Sequence, residues 1–243
     1  MVSLPPGPCT VLPTASAFTM GVSGVSSLAM KKLFLLLCFV VTAASAETPV
    51  VLVFGDSLSA AYGVEREQGW VALLQQRLQA QGYPHRVVNA SISGETTAGG
   101  LARLPGALRQ FQPQILIIEL GGNDGLRGLG NHQTREHLQR MITLARESGS
   151  RPLLLGMMLP PNFGKAFTEK FRQMYRELAQ AESVPLVPFF LDGVADDPLL
   201  MQGDGIHPTA EGQPRMLDNV WPQLRPMLGT PLQAAPGIEP GSG

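Results

Sequence analysis

At 243 residues, 44% of them hydrophobic and only 15% charged, the chain can bury one sizeable core, and a single domain is the expected organisation. A formal net charge of −1 excludes the basic footprint that nucleic acid demands, and no helical stretch carries the Lys/Arg stripe that an anionic membrane attracts. The two cysteines, Cys9 and Cys38, both lie near the start, so thiol nucleophiles, disulfides and Cys-ligated metals are excluded from the remainder.

In chain order, residues 1–29 are rich in Pro, Ser and Gly and read as an extension ahead of a natural initiator at Met30. Lys31 and Lys32 then precede an apolar run from Leu33 to Val41 and the small residues Ala43, Ala44, Ser45 and Ala46. A positive head, a short apolar stretch and an Ala-Ser-Ala cleavage site predict a secretory signal over 30–46, with the mature chain beginning at Glu47. A bilayer span takes ~20 apolar residues, so no stable membrane span is expected after cleavage, and the predicted location is periplasmic or secreted.

Strands are predicted at Val50 to Phe54, Arg86 to Asn89, Ile115 to Leu120, Leu153 to Met158 and Leu186 to Phe189, several of them apolar on both faces as in a covered parallel sheet. Between them run apolar stripes of helical period: Trp70, Leu73, Leu74 and Leu78; Leu101, Leu104, Leu108 and Phe111, with Pro105 expected to bend or restart that helix; His137, Leu138, Met141, Ile142 and Ala145; and Phe167, Phe171, Met174 and Leu178. Met216, Val220 and Leu224 suggest a last helix interrupted by Pro222. This alternation predicts a three-layer α/β/α sandwich over 47–228, followed by a Gly- and Pro-rich tail over 229–243 that is expected to be disordered.

Ligands of open parallel sheets bind beyond the carboxyl ends of the strands. There the sequence offers Gly55-Asp56-Ser57-Leu58-Ser59, then Ser93-Gly94-Glu95, then Gly121-Gly122-Asn123-Asp124. Ser57 follows a glycine at a strand-to-helix turn, which suits either a nucleophile or a helix cap. A serine hydroxyl needs a base, and Gly203-Asp204-Gly205-Ile206-His207-Pro208 supplies an imidazole with a carboxylate three residues before it, able to fix the tautomer; alone, that pair reads equally as a structural turn. His85, His132 and His137 have no acid or metal-ligand partner at useful spacing and are assigned surface or packing roles, while Asp56 and Asp124 are expected to hold their own loops through local backbone hydrogen bonds.

Together these blocks resemble the GDSL, or SGNH, hydrolase superfamily, and within it the bacterial thioesterase I, protease I and lysophospholipase L1 (arylesterase) group, from about Val50 to Leu228. The resemblance implies a central five-stranded parallel sheet of flavodoxin-like type. It also implies Ser57, Asp204 and His207 as a catalytic triad, and an oxyanion hole built from the backbone N–H groups of Ser57 and Gly94 and the side-chain amide of Asn123. The implied reaction is hydrolysis of aryl or fatty-acyl esters, lysophospholipids or acyl thioesters, with no metal and no cofactor. Gly125, Leu126 and Arg127 resemble a mobile covering loop with glycine hinges, and Met158 and Pro160 lie in a segment suited to an apolar acyl wall. The expected partner is a small-molecule ester or lipid. A carbohydrate or peptidoglycan O-deacetylase and a non-catalytic envelope binding module are the alternatives.

Overall fold

The structure is a computed structural model that describes residues 48–232. The expected extension over 1–29, the signal segment over 30–46 and the last residues of the tail, 233–243, fall outside the described residues.

Five parallel strands form one sheet: β1 (Val50–Gly55), β2 (Arg86–Asn89), β3 (Ile115–Glu119), β4 (Arg151–Leu155) and β5 (Leu186–Val187), in the order β2-β1-β3-β4-β5. Every residue of β1 and β3 is buried, as expected for interior strands covered on both faces, whereas β2 is an edge strand with half-exposed residues. Among the described residues six α-helices accompany the sheet: α1 (Trp70–Ala80), α2 (Thr97–Phe111), α3 (Gly122–Leu126), α4 (Asn131–Glu147), α5 (Lys165–Glu182) and α6 (Gln213–Leu224). α1 packs against α6, α2 against α4, and α4 against α5, the two groupings expected when the connection from β1 to β2 runs one way across the sheet and all later ones run the other. This is the predicted three-layer sandwich with the flavodoxin-like strand order, and the order reverses between β1 and β3, where a crevice opens at the strand ends.

Several local expectations differ from what is observed. β4 starts at Arg151 and stops at Leu155, and β5 stops at Val187. Pro188 has no N–H to extend the ladder, and a side chain on Gly156 would meet the Pro188 carbonyl at 2.6 Å, so the chain turns away there. α2 runs unbroken through Pro105, because one missing intrahelical bond on a half-buried face is outweighed by buried Leu104 and Leu108. α6 likewise continues past Pro222 to Leu224. The α-helix expected close behind Ser57 begins only at Trp70; turns and a short 3-10 helix (Arg66–Gln68) occupy the gap. At the tail, Leu232 donates its N–H to the Gly82 carbonyl at 2.9 Å.

Tyr175 of α5 joins the helical layer to the site-bearing end of β3. Its fully buried hydroxyl donates to the Leu120 carbonyl at 2.9 Å and occupies the space beside Gly121, whose φ of +113° is open to glycine but strained for other residues. Replacing Tyr175 by Phe leaves that carbonyl without its partner, and a loss of about 1–2 kcal/mol is expected in urea-unfolding measurements; a parent-like midpoint would show that the bond carries no net stability.

Candidate active site

The turn after β1 presents Ser57 at the crevice, partly exposed between buried Asp56 and Leu58. The Asp56 carboxylate shapes that turn by accepting the Leu58 N–H at 3.1 Å, while Ala60 N–H returns to the Asp56 carbonyl at 2.9 Å. The long segment after β5 folds back on itself. Met201 and Pro208 form an isolated antiparallel bridge, and Gln202 N–H donates to the His207 carbonyl at 2.7 Å. Gly205 takes the left-handed conformation at the tip, φ +67°, which brings Asp204 beneath the N–H groups of Ile206 (2.9 Å) and His207 (3.0 Å).

This hairpin-like turn carries His207 to the nucleophile candidate. His207 Nε2 lies 2.8 Å from Ser57 Oγ across 150 positions of sequence, and His207 Nδ1 lies 2.6 Å from Asp204 Oδ2. Burial works against ionisation of Asp204, but hydrogen bonds from the His207 ring and from the backbone N–H groups of His207 and Ile206 prevail and hold its carboxyl down at about 2. The group therefore stays anionic wherever the imidazole can act as a base. The Tyr62 ring packs against the imidazole at a tilt, centroids 4.4 Å apart and planes 38° from parallel.

Gln202 is a residue that sequence reasoning missed. Its amide donates to the Tyr62 carbonyl (2.8 Å) and to the Pro208 carbonyl (2.9 Å), tying the His207 turn directly to the Ser57 turn. Gly63 keeps room for that amide, since a side chain there would collide with it. A lone glutamine in a polar loop carries no sequence signal for such a role.

The oxyanion candidates come together in the same cleft. Gly94 sits in a left-handed turn, φ +78°, and neither its N–H nor that of Ser57 has a partner among the described residues. Asn123 belongs to α3, a short helix that the sequence reading treated as loop; its Nδ2 donates to Asp56 Oδ2 (2.9 Å) and to the Glu95 carbonyl (3.0 Å). An oxyanion would compete for the hydrogen now given to Glu95. Asp124 and Asp56 reach well beyond their own loops. Asp124 accepts the Thr97 N–H (2.8 Å) and hydroxyl (2.5 Å), pinning the start of α2, and Thr97 Oγ1 lies 3.0 Å from His137 Nδ1. His85 is buried and bonded to Gln114, whereas His132 is exposed beside Glu136.

The cleft encloses about 1340 Å³ and is lined by Ser57, Gly94, Asn123 and His207 together with Leu126, Met157, Met158, Leu159 and Pro160. Leu126, from the expected covering loop, and Met158 and Pro160, from the expected acyl wall, all line it. Gly125 does not: it is buried in α3, where a side chain would press into Leu159 and Phe171, so its glycine serves packing rather than a hinge. Arg127 also lies outside the lining and donates to the Gly94 carbonyl at 3.0 Å, bracing the Gly94 turn.

Burial raises the Asp56 carboxyl from 3.8 to about 6, against hydrogen bonds from Leu58 and Asn123 that lower it. A raised folded-state value means that the native protein holds a proton the unfolded chain has lost, so stability declines as pH rises through the window from about 4 to 6. Urea melts across that window should show Asp56→Asn gaining on the parent as pH increases; a constant difference between the two would remove this linkage.

A family model for the GDSL-like Lipase/Acylhydrolase family matches residues 53–215. Esterase TesA of Pseudomonas aeruginosa is 53% identical over 192 residues, 79% of this chain and 96% of that protein. Thioesterase 1/protease 1/lysophospholipase L1 of Escherichia coli is 44% identical over 186 residues, 76% of this chain and 87% of its own length, and an arylesterase of Vibrio mimicus is 42% identical over 195 residues, 80% and 98%. The crystal structure of TesA aligns with a TM-score of 0.73 at 55% identity, covering 74% of this chain and 99% of that one. With that match spanning most of the chain, and the fold and site blocks in the expected order, this protein belongs to the GDSL-like lipase/acylhydrolase family.

Proposed function

We propose that this ester hydrolase works through Ser57 as nucleophile, His207 as general base and acid, and Asp204 as the carboxylate that orients the imidazole. The observation that carries the reading is the unbroken line from Asp204 through His207 to Ser57 Oγ, with contacts of 2.6 and 2.8 Å. His207 Nε2 takes the hydroxyl proton as Ser57 Oγ bonds to the ester carbonyl carbon. The carbonyl oxygen becomes an oxyanion, met by the N–H groups of Ser57 and Gly94 and by the Asn123 amide. When the tetrahedral species collapses, His207 returns the proton to the leaving alcohol, and water then releases the acyl group from Ser57 by the same steps. Asp204 stays ionised and stabilises the transient imidazolium.

The substrate class follows from the cleft. Leu126, Met157, Met158 and Leu159 offer an apolar wall beside the nucleophile, and a space of about 1340 Å³ exceeds what an acetyl group fills. Aryl and fatty-acyl esters, including lysophospholipids, suit that wall, in keeping with the names of the relatives. The predicted signal over 30–46 supports periplasmic or secreted action, where acyl-CoA is scarce, so oxygen esters are favoured over thioesters. Among the described residues no helix is long and apolar enough to cross a membrane.

Fluorophosphonate should label the parent and not Ser57→Ala, with turnover of Ser57→Ala or His207→Ala down on the order of 10⁴-fold or more. Asn123→Ala should cost about 10²-fold in kcat. Equal hydrolysis by the parent and Ser57→Ala removes Ser57 from the mechanism. Across p-nitrophenyl esters, each methylene that reaches the wall is worth about 0.8 kcal/mol, or close to fourfold in kcat/KM, so rates should climb from acetate to longer chains. Activity confined to acetylated xylan or peptidoglycan would instead establish a deacetylase.

A further inference from the structure

Beneath the nucleophile turn lies a carboxyl group that the mechanism above does not use. Glu119 ends β3, is 0% exposed and is absent from the cleft lining, so no substrate atom reaches it. Its Oε2 accepts the Ser59 hydroxyl at 2.6 Å and the Asp56 N–H at 3.2 Å, and the Ser59 hydroxyl oxygen in turn accepts the Trp70 indole N–H at 3.2 Å. The turn is built around this carboxyl: a side chain on Gly55 would stand 2.5 Å from Oε2. Oε1 is buried with no hydrogen-bond partner among the described residues.

We propose that Glu119 is a positioning residue for ester hydrolysis: from below it grips the backbone of Asp56 and the hydroxyl of Ser59, on either side of Ser57, and so sets the height of the nucleophile and of the Asp56–Asn123 pair. The inference rests on Ser57 being the nucleophile. Glu119 does this as a neutral acid. An ionised carboxylate here would leave charge on an unpartnered, fully buried oxygen facing a second buried carboxyl, that of Asp56. Burial first, and the neighbouring Asp56 next, keep the Glu119 proton on well above the usual carboxylate range. The titratable groups facing the pair are His207 from the segment after β5 and Tyr175 from α5. Neutrality lets Glu119 fix the turn without adding a second negative charge beneath a reaction that itself develops negative charge.

The test compares parent, Glu119→Leu, Glu119→Gln, Ser59→Ala and Ser57→Ala on a p-nitrophenyl acyl ester from pH 5 to 9, with the rate of fluorophosphonate inactivation measured alongside. Glu119→Leu removes the acceptor and should lower kcat by about tenfold or more, leave KM within about twofold, and slow inactivation in parallel. Glu119→Gln keeps an uncharged acceptor and should recover most of that loss with the acid limb of its pH profile unmoved. Parent-like kcat in folded Glu119→Leu overturns the proposal, as does an acid limb displaced by about one unit in Glu119→Gln, which would mark Glu119 as charged. If Glu119→Leu does not fold, Ser59→Ala decides: about threefold or greater loss in kcat at constant KM supports the role, and parent kcat overturns it. An active Ser57→Ala would instead defeat the reading of the site itself, whereas an inert Ser57→Ala beside an unimpaired Glu119→Leu defeats the positioning role alone.

Discussion

Two wholly buried strands, β1 and β3, lie side by side and end at the same level, paired up to Gly55 and Glu119, and the chemistry grows from that shared edge. Because strand order reverses there, the chain leaving β1 and the chain leaving β3 are not covered by a crossover, and the turns they form face a common crevice. Ser57 comes from one, Asn123 from the other, and Asp56 Oδ2 joins them with a bond across 67 positions. The proposed nucleophile and one proposed oxyanion donor are thereby referenced to the same rigid part of the core. The proposed base, His207, arrives from elsewhere, on the segment that follows β5.

That division explains how far the sequence could be read. Strands whose apolar runs are continuous, such as Val51 to Phe54 and Leu116 to Ile118, were legible because burial on both faces leaves no room for polar residues. Ser57, Asp204 and His207 were legible too, since each sits in a turn whose glycines and short spacings encode its local conformation. The ends of β4 and β5 were not, because the close approach of Gly156 to Pro188 is a tertiary fact. Asp56 was half legible: its bond to Leu58 is local, but its bond to Asn123 depends on the pairing of β1 with β3. Glu119 did leave a signal, a lone carboxylate inside an apolar strand, yet its meaning required knowing which turn lies above it. Gln202 and the Arg127 contact to Gly94 left none, since polar loop residues of ordinary type acquire their partners only on folding.

The buried carboxyls also show how the site divides its charge. Asp204 is held anionic by three hydrogen bonds at the cleft rim, beside the imidazolium of the proposed mechanism. Burial pushes Asp56 and Glu119 toward the neutral form, and for Glu119, which lies outside the cleft lining, the neighbouring Asp56 adds to it. Negative charge is thus kept close to the proposed base, and Glu119 adds none beneath the proposed oxyanion site, an arrangement that favours the transition state over the resting site.

Under the proposed mechanism, Asn123 gives the resting enzyme a competitor of its own making. Both hydrogens of the side-chain amide are already engaged, one by a carboxylate and one by the Glu95 carbonyl. The incoming oxyanion must therefore outbid a peptide oxygen, and a neutral ester carbonyl, a weaker acceptor, has little leverage to do so. The amide becomes a discriminator: it is surrendered to charge as charge appears, so ground-state esters gain less from it than the tetrahedral species does, and tight substrate binding is avoided where it would only deepen the well the reaction must climb from.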